Sequence, residues 1–263
     1  MPVTTETEAQ EVLRRHQRVW QQKPVLRRIY NEEFFARLLS AKAPGGVSVE
    51  VGGGPGFFKQ LFPSVISTDL VSCPWLDVVA DAQSLPFQTS TVTNVLGLDV
   101  LHHFAAPMKF LKEAERVLIP GGRLVLVEPW ITPFSYLVYN FLHQEECDFS
   151  SRPWEPNHGS VPQSKKALDG NPAIPYLMFR PSNRQKTLAA LPSLNCVTAE
   201  PFCLFAYLLS FGFKEMNLLP ETFYSAVSAL ERHSLPLWRR LAALRILLVL
   251  EKSVSIAGES RAA

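Results

Sequence analysis

The chain has 263 residues, 47% of them apolar and 19% charged, with a formal net charge of +2. That apolar share supports a sizeable core and excludes wholesale disorder, and the near-balanced charge, with no basic stripe interleaved with aromatics, argues against nucleic acid as a partner. Cys73, Cys147, Cys196 and Cys203 form neither a Cys-x-x-Cys pair nor a zinc spacing, so reduced thiols in a cytoplasmic protein are expected.

The N-terminal segment, MPVTTETEAQEVLRRHQRVW, has no apolar signal-peptide core. Over residues 8–42 the apolar spacing of Val12, Val19, Trp20, Ile29, Phe34, Leu38 and Leu39 predicts two helices separated by Pro24. A turn at 43–46 leads to a buried strand over 47–51, a run of glycines, and a short helix from Phe57 that Pro63 stops. Three further strands are predicted, over 65–68, 76–80 and 92–98, running into Asp69, Asp81 and Asp99 respectively. A helix opens at Pro107 with Phe110, Leu111, Ala114, Val117 and Leu118 on one face. Pro120-Gly121-Gly122 ends it and a strand over 123–128 follows.

From 129 to about 201 prolines recur, and only 134–147 reads clearly as helix; such a stretch is a functional lid or a poorly ordered loop. A buried helix is predicted over 202–211, capped by Gly212, then a strand over 213–219, helix through 226–243 and a last strand over 245–251. The apolar run LAALRILLVL is interrupted by Arg245 and too short to span a bilayer, so no membrane span is expected. Alternating strands and helices predict an α/β fold: a Rossmann-like, doubly wound, seven-stranded, mostly parallel sheet with N-terminal helices and a proline-rich insertion over the cleft. The expected divisions are an N-terminal helical cap (1–44), a binding core (45–130), an insertion or lid (131–201) and the C-terminal part of the sheet domain (202–263). In such sheets the ligand lies beyond the carboxyl ends of the strands, where these acidic residues cluster.

The stretch EVGGGPGFFKQL, from Glu50, lets a ligand approach main-chain amides. The dinucleotide fingerprint requires glycine or alanine where Phe57 stands, and no Gly-Lys-Ser/Thr of a phosphate loop follows. Glu50, two residues before Gly52, would repel a pyrophosphate and favour an ammonium or sulfonium. Asp69 is placed to accept hydrogen bonds from ribose hydroxyls. The residues therefore point to a nucleoside bearing a positive centre.

Glu50-Val51-Gly52-Gly53-Gly54-Pro55-Gly56 resembles the glycine motif of class I S-adenosylmethionine-dependent methyltransferases. Thr68-Asp69-Leu70 is similar to the ribose position, and Ala80 through Phe87 to the adenine-binding loop. Asp99 through Phe104 and Arg116 through Gly122 resemble the small-molecule, methyltransferase type 11-like branch, which includes quinone-methylating enzymes. The resemblance covers about a third of the chain, with its pieces in the right order. It implies that S-adenosyl-L-methionine is bound, with Glu50 orienting the amine and Gly52, Gly53, Gly54 and Gly56 forming the wall. Asp69 and Leu70 would hold the ribose, Asp81 and the amide of Ala82 the adenine, and residues 97–99, ending at Asp99, the methionine side. Tyr30 would close over the cofactor. His102 is the candidate catalytic residue, although Leu-His-His in this family is often a packing feature at a helix entry.

The activity implied is methyl transfer by in-line displacement to a small, partly apolar acceptor; the alternative is a non-catalytic S-adenosylmethionine-binding or partner-binding protein on the same fold. Trp130, Phe134, Tyr136, Tyr139, Phe141 and Trp154 either wall an apolar acceptor or pack an added layer. His143, Glu145, Glu146 and Asp148 lack a second histidine at ligand spacing, and no metal is expected.

Overall fold

The computed structural model describes residues 6–141, 147–155, 170–233 and 236–254. The chain opens with α1 (Glu6–Gln22) and α2 (Pro24–Ile29), a π-helical turn (Tyr30–Phe35) and α3 (Ala36–Ala41). There follow β1 (Ser48–Val51), α4 (Phe57–Leu61), β2 (Ile66–Asp69), β3 (Val78–Val79), β4 (Val92–Leu98), a 3-10 turn (Leu101–His103), α5 (Pro107–Val117) and β5 (Leu118–Pro129). The remainder comprises α6 (Pro133–Phe141), α7 (Ala173–Phe179), α8 (Pro181–Ala189), β6 (Leu194–Phe202), α9 (Phe205–Ser210), α10 (Glu221–Arg232), α11 (Pro236–Ala242) and β7 (Arg245–Lys252).

The expected doubly wound sheet is present. Its seven strands run in the order β3-β2-β1-β4-β5-β7-β6, parallel from β3 to β5, with β7 antiparallel to both neighbours. Strand order reverses between β1 and β4, where Val51 lies opposite Gly97, so the crevice at their carboxyl ends is the expected ligand site. Both faces of the sheet are covered. Phe110 and Leu111 of α5 and Ile174 and Phe179 of α7 pack on the face carrying Val49, Val51 and Leu126. Leu26, Ile29, Phe34 and Phe35 pack on the other, with Leu96, Val125 and Val127. The N-terminal helices are thus one of the two layers that bury the sheet, and their apolar spacing reflects that.

Several predicted elements change. Residues 213–219 form no strand; the seventh strand is β6, inside the stretch that prolines marked as a lid. Pro201 is tolerated there because β6 is an edge strand, paired only with β7. Phe202 ends that strand, and helix begins three residues later at Phe205. Strand β5 begins at Leu118, taking in the turn expected at 120–122, where the pairing with β4 shifts register. Strand β3 is only two residues long. Helix α6 is described as far as Phe141 and Cys147 lies outside helix, while the helix expected over 226–243 is two. No helix among the described residues is long and apolar enough to cross a membrane.

Candidate functional site

Strand β1 delivers Glu50 and then the glycine loop. Gly52, Gly54 and Gly56 all have positive φ, from 46° to 79°. A Cβ on Gly52 would strike the Val100 side chain and one on Gly56 the Trp75 ring, so at both positions space and backbone conformation require glycine. The loop is held by Asp69, whose carboxylate accepts from the amides of Gly54 and Val71, each at 2.9 Å. Trp75 Nε1 donates to the Gly54 carbonyl at 2.7 Å. Helix α1 lies against the same loop: Gln17 Nε2 donates to Pro55 O at 3.1 Å, and Leu13 approaches Gly54.

Glu50 is buried, and its carboxylate accepts a 2.6 Å hydrogen bond from the Ser67 hydroxyl. Burial pushes its carboxyl up to about 7, against the Ser67 bond that favours ionisation. It faces a cavity of about 100 Å³ together with Gly52, Gly53, Gly97 and Asp99. The other wall is aromatic: Tyr30, Phe35, Phe57, Phe58, Phe213 and His16. The π-helical turn places both Tyr30 and Phe35 on this wall. Four rings form a stacked column, with centroid separations of 4.0 Å for Trp20–Phe57, 5.8 Å for Phe57–Phe213 and 4.2 Å for Phe213–His16. Burial and the neighbouring Arg15 push His16 down to about 4, so it is a neutral ring at physiological pH.

Beside the cavity lies a charged cluster. Asp99, in the left-handed region at φ 55°, accepts from Arg245 Nη1 at 2.5 Å. Arg245 opens β7; because that strand runs against the others, its first residue lies at the ligand end. Its buried guanidinium stands over the rings of Phe34 and Tyr207, at 5.7 and 5.5 Å. Burial pushes the Asp99 carboxyl up and Arg245 opposes this; Arg245 itself is held above its ordinary range by Asp99 despite its own burial. Glu128, at the end of β5, accepts from the amides of Val100 and Leu101 through one oxygen and faces His102 Nδ1 at 2.8 Å through the other. Burial raises Glu128 to about 7.

Asp99, His102 and Glu128 each offer an atom within 4.8 Å of the others. Both Glu128 oxygens and Asp99 Oδ1 are already engaged by amides, an imidazole and a guanidinium, and Arg245 supplies the local positive charge. The set reads as a hydrogen-bonded charge network rather than a cation cage.

The residues expected from sequence are thus divided. Glu50, Gly52, Gly53, Asp99 and Tyr30 line one cavity; His102 does not, but adjoins it through Asp99. Asp69 and Asp81 lie outside the lining and serve turns: Asp81 Oδ1 accepts from the Gln83 amide at 2.8 Å. Leu70 is exposed and Ala82 buried. Of the six aromatics proposed as an acceptor wall, none lines this cavity; Trp130 packs edge-on to Tyr176, and Trp154 donates to the Thr187 hydroxyl at 3.0 Å. His143, Glu145 and Glu146 lie outside the described residues, and Asp148 accepts from Ser150 and Ser151 in a local turn. Sequence reasoning missed Glu128, Arg245 and Phe213. The signal for Glu128 was available, since it is another acid at a strand's carboxyl end.

Residues 49–126 match the family model for a methyltransferase domain. A probable tRNA methyltransferase 9B of Homo sapiens is 26% identical over 103 residues, 34% of this chain and 23% of that protein. An uncharacterized methyltransferase of Mycobacterium sp. (strain JLS) is 33% identical over 107 residues, 35% of this chain and 42% of the relative. The chain therefore spans about a quarter of the first relative's length and under half of the second's. Among solved structures, a SAM-dependent methyltransferase of Thermotoga maritima, described as a possible histamine N-methyltransferase, aligns over 89% of this chain and 94% of its own, with 13% identity and a TM-score of 0.49. The matched methyltransferase domain contains Glu50, the glycines, Asp69, Asp81, Asp99 and His102, whereas Tyr30, Glu128, Phe213 and Arg245 lie outside it.

Proposed function

We propose that this chain is an S-adenosylmethionine-dependent methyltransferase acting on a small, partly apolar acceptor. One observation carries the reading: the cavity at the strand crossover presents two carboxylates, Glu50 and Asp99, among aromatic rings, and no lysine or arginine lines it among the described residues. Such a lining repels phosphate and suits an ammonium and a sulfonium.

Glu50 would hold the amine, with the loop from Gly52 to Gly56 giving main-chain approach. Asp69 and Leu70 would meet the ribose, and Asp81 and Ala82 the adenine. The cofactor supplies an electrophilic methyl group on a sulfonium. What the protein adds is alignment and exclusion of water, for which well-placed reactants gain about 7–11 kcal/mol at most. His102, whose Nδ1 faces Glu128 at 2.8 Å, would take the proton of an acceptor hydroxyl. A cytoplasmic location goes with this reading.

The test is calorimetry with S-adenosylmethionine and S-adenosylhomocysteine, followed by methyl incorporation into panels of small hydroxyl and amine compounds and into tRNA, the substrate class in the human relative's name. Micromolar binding with methylation of a small molecule supports the proposal. No binding, or tighter binding of NADH, overturns it, and transfer to tRNA alone replaces the acceptor class.

A further inference from the structure

Lys23 is a buried lysine, and it has no carboxylate partner among the described residues. It separates α1 from α2, and Pro24 after it forbids helical backbone at its position; its φ and ψ are −121° and 84°. That break directs the side chain away from both helices toward the segment after α9. There the three N–H bonds of the ammonium are shared among four main-chain carbonyls in alternation: Ser210 at 2.5 Å, and Gly212, Lys214 and Met216 at 2.8 Å each.

The segment that supplies them is strained. Phe211 and Gly212 are consecutive left-handed residues, at φ 58° and 51°, the first of them a bulky side chain for which this region is unfavourable. Four carbonyl dipoles aimed at one point repel one another unless a cation sits among them. Phe213, in the middle of this wrap, is the ring that stacks between Phe57 and His16 on the cavity wall. The wrap also explains why 213–219 is no strand, since its carbonyls turn inward to one ammonium instead of outward to a neighbouring strand.

We propose that Lys23 is a positioning residue for the cofactor cavity, acting as an internal cation around which residues 210–216 fold so that Phe213 closes the aromatic wall. The proposal rests on the cavity being the cofactor site. Both Lys23 and the wrap lie outside the residues matched to the methyltransferase domain.

The test replaces Lys23 by Met, which keeps length and removes the charge, and by Ala, which leaves a slot for an added amine. Lys23→Gln serves if the Met variant does not fold. Hydrogen exchange is followed at the amides of 210–218 and in the central strands, and S-adenosylhomocysteine affinity is measured by calorimetry. Lys23→Met is expected to speed exchange in 210–218 while leaving the central strands protected, and to weaken binding about tenfold. In Lys23→Ala, n-propylammonium chloride, which restores the deleted atoms, is expected to slow exchange and recover affinity; tetramethylammonium chloride, with no N–H, is not. Phe213→Ala is expected to reproduce the affinity loss, and combining it with Lys23→Met to add little. Unchanged exchange in Lys23→Met overturns the proposal, as does a loosened wrap with full affinity. Equal rescue by the two ammonium salts also overturns it. Wild-type protein that binds no S-adenosylhomocysteine defeats the cofactor reading instead, and the exchange arm still decides whether the lysine orders the wrap.

Discussion

Glu50→Gln separates what the site needs from what the fold tolerates. Burial carries the Glu50 carboxyl from its ordinary 4.5 to about 7. Between those values the folded protein holds a proton that the unfolded chain has released, so stability falls as pH rises through this window and levels off above it. The full difference costs about 3 kcal/mol once the group is ionised in both states. Glutamine has no charge to bury and can still accept from Ser67. The variant should match wild type near pH 4 and exceed it by up to about 3 kcal/mol at pH 8, read by urea unfolding across pH. Glu128 and Glu231 are also raised to about 7 by burial and steepen both curves, so the difference between the curves isolates Glu50. The same variant should bind S-adenosylhomocysteine roughly ten- to a hundredfold more weakly, the loss of one hydrogen bond to a charged group. Parallel stability curves would refute the buried-carboxylate argument, and unchanged affinity would refute the role at the amine.

Asp69→Ala removes the acceptors of the Gly54 and Val71 amides as well as the proposed ribose contact. It should weaken S-adenosylhomocysteine by tenfold or more and speed exchange at Gly54, measured by calorimetry and hydrogen exchange. Arg245→Met leaves the Asp99 carboxylate without its guanidinium and should destabilise by about 3 kcal/mol, the low end for a broken buried pair because Asp99 retains 26% side-chain exposure. Adding Asp99→Asn should recover much of that loss in urea unfolding, and additive losses would show that the pair is not coupled. On a hydroxyl acceptor, His102→Gln should lower kcat by about 10²–10⁴ with S-adenosylhomocysteine affinity intact. Glu128→Gln should cause a smaller loss and move the pH profile, whereas unaltered turnover in both would assign the pair to packing.

How much of this was legible in the sequence follows from the range of the interactions. Alternation of strands and helices, and acids falling at strand ends, are local patterns; they located Glu50, Asp69, Asp81 and Asp99 and the sheet that aligns them. Register and partner choice are not local. Strand β6 was hidden because prolines read as loop unless one knows that the strand lies at an edge, and edges are defined by what fails to pair on the far side. The stretch 213–219 showed the reverse error: its composition suited a strand, but a lysine almost two hundred residues earlier claims its neighbouring carbonyls. Arg245 appeared only as an interruption in an apolar run and the first residue of a predicted strand, because its meaning depends on β7 running antiparallel, which sets a strand's first residue beside the carboxyl ends of the others. The parts of the site shared with the methyltransferase domain are thus encoded in short motifs. The parts that surround them, the π-helical turn, the ring column and the Arg245 pair, are encoded in contacts between distant segments. Substitutions at Tyr30, Phe213 and Arg245 should therefore alter selectivity among the proposed acceptors more than substitutions in the glycine loop do.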